Sequence, residues 1–211
     1  MILESLIKYK QIPDAYRIKN EFKIPWLELD IEVPHKEILK EYLNVQSESV
    51  LHRPYDKIAS ANHKGWKSLV LYGVDKHSTD EVEGIKSWTE IADKCPNTVQ
   101  WIKDNFKITK NTGRIRFMHI DPGGYILPHK DRENKKLQEI NVAIRHPKGC
   151  IVQFIERGVI PFEDGKAFIV DISNVHMVYN NSDEMRLHII IHTPISDEVI
   201  ERSYEKSYYS T

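Results

Sequence analysis

The sequence predicts a mainly β fold with flanking helices, whose core is an antiparallel sandwich or small barrel, a class that includes the jelly roll. The second half of the chain carries short, strand-like apolar segments that are regularly spaced and separated by turn residues. The first half differs, because it mixes helical and strand-like patterns. The predicted strands of the second half are 113–120, 140–144, 150–155, 166–170, 175–180 and 185–192.

The flanking segments follow from local patterns. Residues 26–33 alternate between apolar and polar side chains, which is typical of a strand. Pro34 suits the first turn of a helix, and Pro96 would break a continuous one. The remaining predicted elements are a helix over 35–43, a strand over 65–73, short helices over 88–94 and 97–105, and a short helix after residue 194.

Length and composition are those of an ordinary globular chain. The 211 residues fit one domain, with a supporting segment (1–110), core strands (111–193) and a tail (194–211). The net charge of -1 gives no reason to expect binding to nucleic acid or to an anionic membrane. Only two cysteines are present, no apolar stretch would span a membrane, and the first residues do not resemble a secretory signal. We therefore expect a reducing, cytoplasmic location.

The segment from Tyr125 to Asp131 carries the first candidate ligands. Asp121-Pro122-Gly123-Gly124 precedes it and is a strong turn signal. His129 and Asp131 are two residues apart, and residues so spaced on a strand point to the same face. An imidazole and a carboxylate would thus project together, as two ligands of a divalent metal must. Taken alone, the pair is more typical of a surface loop.

His176 is the best candidate for a third ligand, on the predicted strand 175–180. Two histidines and one carboxylate form the facial triad of non-haem iron oxygenases, which leaves positions open for a 2-oxo acid and O₂. Arg186, on the next predicted strand, is suited to holding the far carboxylate of 2-oxoglutarate. The alternatives are purely structural roles. His176 would then be a buried histidine hydrogen-bonded to the backbone, and Arg186 would form an ion pair with Asp183 or Glu184.

This assignment carries a geometric condition. His176 and Arg186 must both face the interior, so we expect their two strands to pair, with His176 opposite Arg186 or His188. That pairing requires an odd-length loop or a bulge around residues 181–183. His188 is two residues after Arg186, so we expect it to face the pocket as well. We expect Asp171 to form a turn through its own side chain, and Asn180 to end a strand or lie in a turn.

The stretch from Arg114 to His192 resembles the aspartyl/asparaginyl β-hydroxylase family of 2-oxoglutarate oxygenases, which includes proline-hydroxylase-like members. Strand 65–73 is similar to the Trp-containing strand that the family has upstream. The landmarks of the resemblance are Pro122-Gly123-Gly124, His129-x-Asp131, Asn141-Val142-Ala143, Pro147-x-Gly149-Cys150, Gly165-Lys166-Ala167-Phe168, Asp171, His176, Asn180 and Arg186.

The resemblance implies a double-stranded β-helix (jelly-roll, cupin-like) core, Fe(II), 2-oxoglutarate and O₂. It also implies hydroxylation with release of succinate and CO₂. The animal Asp/Asn hydroxylases lack a metal-binding carboxylate, whereas this chain has Asp131. They also carry an Arg and a His where this chain has Glu139-Ile140-Asn141. Their substrate preference is therefore not carried over. Asn141 and Tyr125 are further candidates for contact with 2-oxoglutarate, and residues 130–136 for a loop or lid beside the metal.

The predicted activity is hydroxylation of an unactivated C–H bond in an amino acid, either free (such as proline) or within a peptide or protein. Two alternatives remain open. One is a nucleic-acid-repair oxygenase of the same cofactor class, which the neutral charge disfavours. The other is a non-catalytic, cupin-like metal-binding module, which has no need of an arginine at the spacing of Arg186. The sequence does not indicate an oligomeric state.

Overall fold

Antiparallel strand pairing organises the structure. The computed structural model describes residues 26–53, 62–79, 84–131, 138–155 and 157–209. The helices of these segments are α1 (His35–Val45), α2 (Glu90–Asp93), α3 (Pro96–Asn105) and α4 (Asp197–Tyr209), with a 3₁₀ turn at Gln46–Glu48. The strands are β1 (Trp26–Glu28), β2 (Val50–Leu51), β3 (His63–Gly73), β4 (Ser87–Trp88), β5 (Ile115–His129), β6 (Gln138–Arg145), β7 (Cys150–Phe154), β8 (Gly158–Val159), β9 (Ala167–Val170), β10 (His176–Asn180) and β11 (Arg186–Thr193).

The strands form one continuous, folded sheet in the order β1-β9-β6-β11-β5-β10-β7-β8. Strand β3 pairs with β5 outside this path, and β2 and β4 pair with β3. Strand β5 therefore belongs to both halves of the sheet. Its first part pairs with β11, and its last part pairs with β10. The mainly β class with flanking helices is as predicted.

The Pro122-Gly123-Gly124 sequence bends β5 but does not end it, so the predicted turn between two strands is instead a bend within one strand. Gly123 has a φ of 66°, which only glycine adopts freely. A Cβ on Gly124 would lie 2.7 Å from the Lys64 carbonyl oxygen and 2.7 Å from Ile120 Cγ2. The two glycines thus let β5 fold over against β3.

Alternation along the strands creates two apolar cores. Phe117, Leu187 and Ile189 point to one face of the sheet and pack under the helices with Tyr42. Ile120 points to the other face, into the interior between the two halves of the sheet. The other buried members of this interior core are Ile126, Ala143, Cys150, Val152, Phe154, Ile160, Phe162, Phe168, Val170 and Val178.

The expected hairpin between the strands of His176 and Arg186 is wrong. Strands β10 and β11 do not pair with each other. They follow one another along the same edge of β5, with His176 opposite His129 and Arg186 opposite Ile120. The condition that both side chains be buried is still met, because each strand takes its facing direction from β5.

Asn180 fills the gap between β10 and β11. Its Nδ2 donates to the carbonyls of Ile120 and Asp121, each at 3.2 Å, and of Glu184 at 2.8 Å. Its Oδ1 accepts a hydrogen bond of 2.6 Å from the Ser182 hydroxyl. A fully buried side chain thus satisfies two β5 carbonyls at the junction of β10 and β11, and shapes the loop that leads into Arg186.

The helical predictions hold in the main, with local corrections. The predicted strand 26–33 is limited to β1, and residues 87–88 form a short strand before α2. Glu41 of α1 receives the backbone N–H groups of Asn97 and Thr98, at 2.8 and 2.9 Å, and so satisfies the first turn of α3. The first 25 residues and most of the predicted lid lie outside the described residues. No helix in the described ranges is long and apolar enough to cross a membrane.

Replacing Asn180 by Asp is expected to destabilise the protein by about 3 kcal/mol, because a buried carboxylate cannot donate to the three carbonyls that the amide binds. The free energy of unfolding in urea measures the effect. Asn181→Asp is the matched control, since Asn181 is exposed and next in sequence. Equal stability of the two variants would contradict this role for Asn180.

Candidate metal centre and cosubstrate pocket

A β-bulge turns His129 toward the interior. Val178 of β10 is opposite Ile126 of β5, and His176 is opposite His129. One residue of β10 therefore faces two residues of β5 between these pairs. The extra residue leaves Leu127 and Pro128 both facing solvent, while Ile126 and His129 both face inward. Bulges next to active sites often redirect a side chain in this way.

His129, Asp131 and His176 converge at one end of the interior. The Nε2 atoms of His129 and His176 lie 3.7 and 3.6 Å from Asp131 Oδ2. One donor atom from each residue can be chosen so that all three lie within 4.8 Å of one another. His176 is nearly buried, whereas 31% of the His129 and 38% of the Asp131 side chain are exposed. The cluster is therefore open on one side.

Backbone carbonyls fix the tautomer of both imidazoles. His129 Nδ1 lies 2.8 Å from the Leu127 carbonyl, and His176 Nδ1 lies 3.0 Å from the Asn174 carbonyl. Since a carbonyl only accepts, each Nδ1 carries the proton, and each Nε2 presents its lone pair toward Asp131. Metal-binding histidines are usually oriented by such an outer hydrogen bond.

A turn at Asp171–Asn174 supports two of the three residues. The Asp171 carboxylate accepts hydrogen bonds from the Ser173 backbone N–H and hydroxyl, at 3.1 and 2.6 Å, as predicted for a turn. Within the turn, the Asn174 carbonyl binds His176, and the Ile172 carbonyl accepts the Asp131 backbone N–H at 3.1 Å. Sequence patterns predicted the turn but not its link to the site.

The environment keeps His176 neutral. Burial lowers its pKa below the usual value, and the neighbouring His129 adds to that effect. The hydrogen bond to the Asn174 carbonyl and the charge of Asp131 act in the opposite direction but are smaller. A neutral imidazole is the form that binds a metal ion.

Arg186 lies deeper in the interior, at the start of β11, and is 3% exposed. Its Nη2 is 2.7 Å from His188 Nδ1, and its Nε has no hydrogen-bond partner. Among the described residues no carboxylate pairs with it, and Glu184 instead lies 3.5 Å from Arg145. Burial lowers the pKa of Arg186 to about 10, so the guanidinium remains charged at neutral pH. Its environment therefore favours an anion from outside the chain.

A chain of hydrogen bonds orients the Arg186 guanidinium. His146 Nε2 donates to the Cys150 carbonyl at 3.0 Å, so its Nδ1 accepts from His188 Nε2, also at 3.0 Å. His188 Nδ1 is then the acceptor for Arg186. Burial lowers the pKa of His146 to about 4 and that of His188 well below its usual value, which keeps both rings neutral. From the sequence we predicted only that His188 faces the pocket, and we predicted no role for His146.

Asn141 and Tyr125, the two further residues predicted to contact 2-oxoglutarate, lie in different places. Asn141 is buried with its side-chain amide against His188 Nδ1, so it lies beside Arg186 through that ring. Because this Nδ1 accepts from Arg186, the amide directs its NH₂ group toward the ring. Tyr125 does not lie at the site. It pairs with Tyr179 and Lys64 on the outer face, whereas its neighbour Ile126 points inward. The bulge that follows Tyr125 changes the facing direction, which sequence spacing does not reveal.

The donor set fits iron. Two imidazole nitrogens and one carboxylate oxygen on an open face match the facial triad, whose remaining positions accept other ligands. A buried, unpaired guanidinium in the same interior suits the second carboxylate of a dicarboxylic 2-oxo acid.

Comparison with protein families adds a separate observation. The family model described as aspartyl/asparaginyl β-hydroxylase matches residues 32–194, which is more than half of the chain. The chain belongs to this family. It is accordingly a 2-oxoglutarate-dependent hydroxylase of the non-haem iron class, which uses Fe(II), 2-oxoglutarate and O₂. No curated protein sequence matches it significantly.

Solved structures of similar fold include three oxygenases. A prolyl-4-hydroxylase from Pseudomonas putida has a TM-score of 0.50 and 12% identity, over 87% of this chain and 100% of the other. A Trichoplax adhaerens prolyl hydroxylase, in complex with a hypoxia inducible factor peptide fragment, has a TM-score of 0.54 and 15% identity, over 95% of each chain. A 2OG-Fe(II) oxygenase family protein from Burkholderia pseudomallei has a TM-score of 0.51 and 14% identity, over 84% and 88%. These likenesses confirm the jelly-roll, cupin-like fold.

Replacing Asp171 by Ala is expected to weaken divalent-metal binding by roughly tenfold to a hundredfold, the usual effect of losing an outer support of metal ligands. The cause would be a loosened turn beneath His176 and Asp131. Titration with Co(II), followed by visible absorption, measures the affinity. Asp183→Ala, in an exposed loop, is the control. Unchanged affinity in Asp171→Ala would show that the turn does not support the ligands.

Proposed function

We propose that this hydroxylase acts on an unactivated C–H bond of an amino acid, either free (such as proline) or as an Asp, Asn or Pro residue of a peptide. In this proposal His129, Asp131 and His176 hold the iron, and Arg186 holds the far carboxylate of 2-oxoglutarate. One observation is the main support for this proposal. Two lone-pair-bearing imidazole nitrogens and a carboxylate converge at the open end of an interior that also contains an unpaired guanidinium.

Each protein group has a definite task in this proposal. The carbonyls of Leu127 and Asn174 hold the Nδ1 protons, so that both imidazoles bind iron without losing a proton. Asp131 adds the anionic ligand and lies at the open side. When bound, iron and 2-oxoglutarate supply the oxidising power that inserts an oxygen atom from O₂ into a C–H bond. The apolar interior core around them limits water, which favours coupling of that oxidation to the substrate.

Arg186 sets the orientation of 2-oxoglutarate. The guanidinium is buried and already oriented by His188, so little conformational entropy is lost when it binds a carboxylate. An anion there also removes the cost of a buried unpaired charge. A non-catalytic metal-binding module has no use for such a group, which favours the hydroxylase over that alternative. No observation favours a nucleic-acid substrate.

The substrate class is tested by 2-oxoglutarate turnover. Protein reconstituted anaerobically with Fe(II) is exposed to O₂ and 2-oxoglutarate, with a panel of free amino acids and short Asp-, Asn- or Pro-containing peptides. We expect succinate release and the mass gain of one oxygen atom in one panel member, and none with His176→Ala. Absence of both iron binding and 2-oxoglutarate turnover in the unaltered protein would refute the proposal.

Replacing Arg186 by Met is expected to raise the KM for 2-oxoglutarate roughly a hundredfold, because about 3 kcal/mol of charge-assisted hydrogen bonding is lost. Steady-state succinate formation gives this KM. Arg145→Met is the matched control, since Arg145 is the partner of an exposed carboxylate in the same part of the sheet. If Arg186→Met left the KM unchanged, the cosubstrate carboxylate would be bound elsewhere.

A further inference from the structure

Arg116, one of three buried arginines among the described residues with Arg114 and Arg186, faces the interior from β5. It alternates with Phe117, which points to the outer core, and shares its facing direction with Met118 and Ile120. Only 8% of the residue is exposed. Its neighbour across β11 is Ile190, and the next strand places Asn141 in the same row. Arg116 is therefore part of the interior wall.

Among the described residues, the Arg116 guanidinium has few hydrogen-bond partners and no ion-pair partner. One Nη1 hydrogen bond reaches the Thr79 carbonyl at 3.5 Å, the limit for such a bond, and the buried Nε has no partner. No carboxylate among the described residues lies within ion-pair distance of it. Elsewhere lysines do have close acidic partners, such as Lys67 with Asp121 at 2.8 Å. A buried charge without a counter-ion is costly, and chains rarely keep one that has no use.

Two other arginines lie near enough to Arg116 to act on its charge. Burial lowers its pKa to about 9, and Arg114 and Arg53 add to this effect, while Glu139 and Asp131 oppose it. The guanidinium thus remains charged at neutral pH. The Glu139 carboxylate is already 3.0 Å from His192 Nε2, and Arg114 donates to the Ser78 carbonyl at 3.3 Å. An incoming anion would relieve repulsion between like charges here.

Arg116 and Arg186 occupy different positions. Arg186 is opposite Ile120, next to the bend of β5, whereas Arg116 is four residues nearer the start of that strand. The charge of Asp131 acts on Arg116 and favours its charged form. The two groups therefore lie near enough to one another to interact electrostatically. One 2-oxoglutarate occupies one of these arginines and leaves the other for a different anion.

We propose that Arg116 binds a carboxylate of the primary substrate and so places the reacting carbon beside the iron. This inference rests on the proposed function. The guanidinium fork matches a carboxylate in two parallel hydrogen bonds. Two sources have that chemistry, the α-carboxylate of a free amino acid and the side-chain carboxylate of an acidic residue in a peptide.

The test is calorimetric binding to the anaerobic complex with Fe(II) and 2-oxoglutarate, in which no turnover occurs. The probes are free amino acids, each with its amide (L-proline against L-prolinamide), and N-acetyl-aspartyl amide against N-acetyl-asparaginyl amide. We expect one pair in which only the carboxylate form binds well. Preference for a free amino acid identifies an α-carboxylate, and preference for the blocked aspartate identifies a side chain.

Paired variants separate the two arginines. Arg116→Met is expected to weaken binding of that carboxylate about tenfold or more, and to leave the 2-oxoglutarate Kd within about twofold. Arg186→Met is expected to weaken 2-oxoglutarate binding instead. Because Arg116→Met removes a buried unpaired charge, we also expect the substrate-free variant to melt at a higher temperature than the unaltered protein.

Each contrary outcome is informative. The inference is overturned if the unaltered complex binds no carboxylate probe at roughly ten millimolar, or binds acid and amide equally. It is also overturned if Arg116→Met binds the carboxylate normally, or melts at a lower temperature, which would indicate a structural role. Failure of the proposed function has a different signature, since the unaltered Fe(II) protein would then not bind 2-oxoglutarate at all.

Discussion

Strand β5 is the constraint on which the rest of the structure depends. Its residues Ile115–His129 run through both halves of the sheet, and β3, β10 and β11 take their positions from it. The bend at Gly123 and Gly124 folds the strand over, and the bulge before His129 turns that imidazole inward. One continuous strand thus carries Arg116 at one end and the first candidate iron ligand at the other. A shift in the register of β5 would therefore displace both Arg116 and His129.

The polar groups of the interior are held mainly by backbone carbonyls. Both candidate histidine ligands donate Nδ1 to a carbonyl two residues earlier in the chain, and His146 begins the path to Arg186 at the Cys150 carbonyl. Carbonyl positions are fixed by the strands and turns, so these side chains are oriented before any ligand arrives. Arg116 and Arg186, both buried, act against stability, and anions supplied by bound ligands would offset that cost. The fold is thereby linked to occupancy of the pocket.

Much of the site follows from sequence because its chemistry is local. A His-x-Asp pair, a distal histidine and a spaced arginine are visible in the sequence, and the structure places Arg186 in the interior and the other three at its open end. Asp131 lies two residues beyond the end of β5 and not on the strand predicted for it. What sequence patterns did not predict is non-local. The collinear arrangement of β10 and β11 depends on a shared partner strand, and the bulge that excludes Tyr125 depends on register. The role of Asn180 depends on the fold bringing the carbonyls of Ile120 and Asp121 next to its side chain.

The central claim is that one interior holds an iron ion on His129, Asp131 and His176 and a 2-oxo acid that reaches from it to Arg186. Anaerobic titration of the Fe(II) protein with 2-oxoglutarate, followed by visible absorption, tests this most directly. A 2-oxo acid that chelates Fe(II) through its carboxylate and keto oxygens gives a charge-transfer band, whereas glutarate does not. We expect a band that saturates at one equivalent and is absent in His176→Ala. A protein that binds Fe(II) but shows no band, or the same spectrum with glutarate, would contradict it.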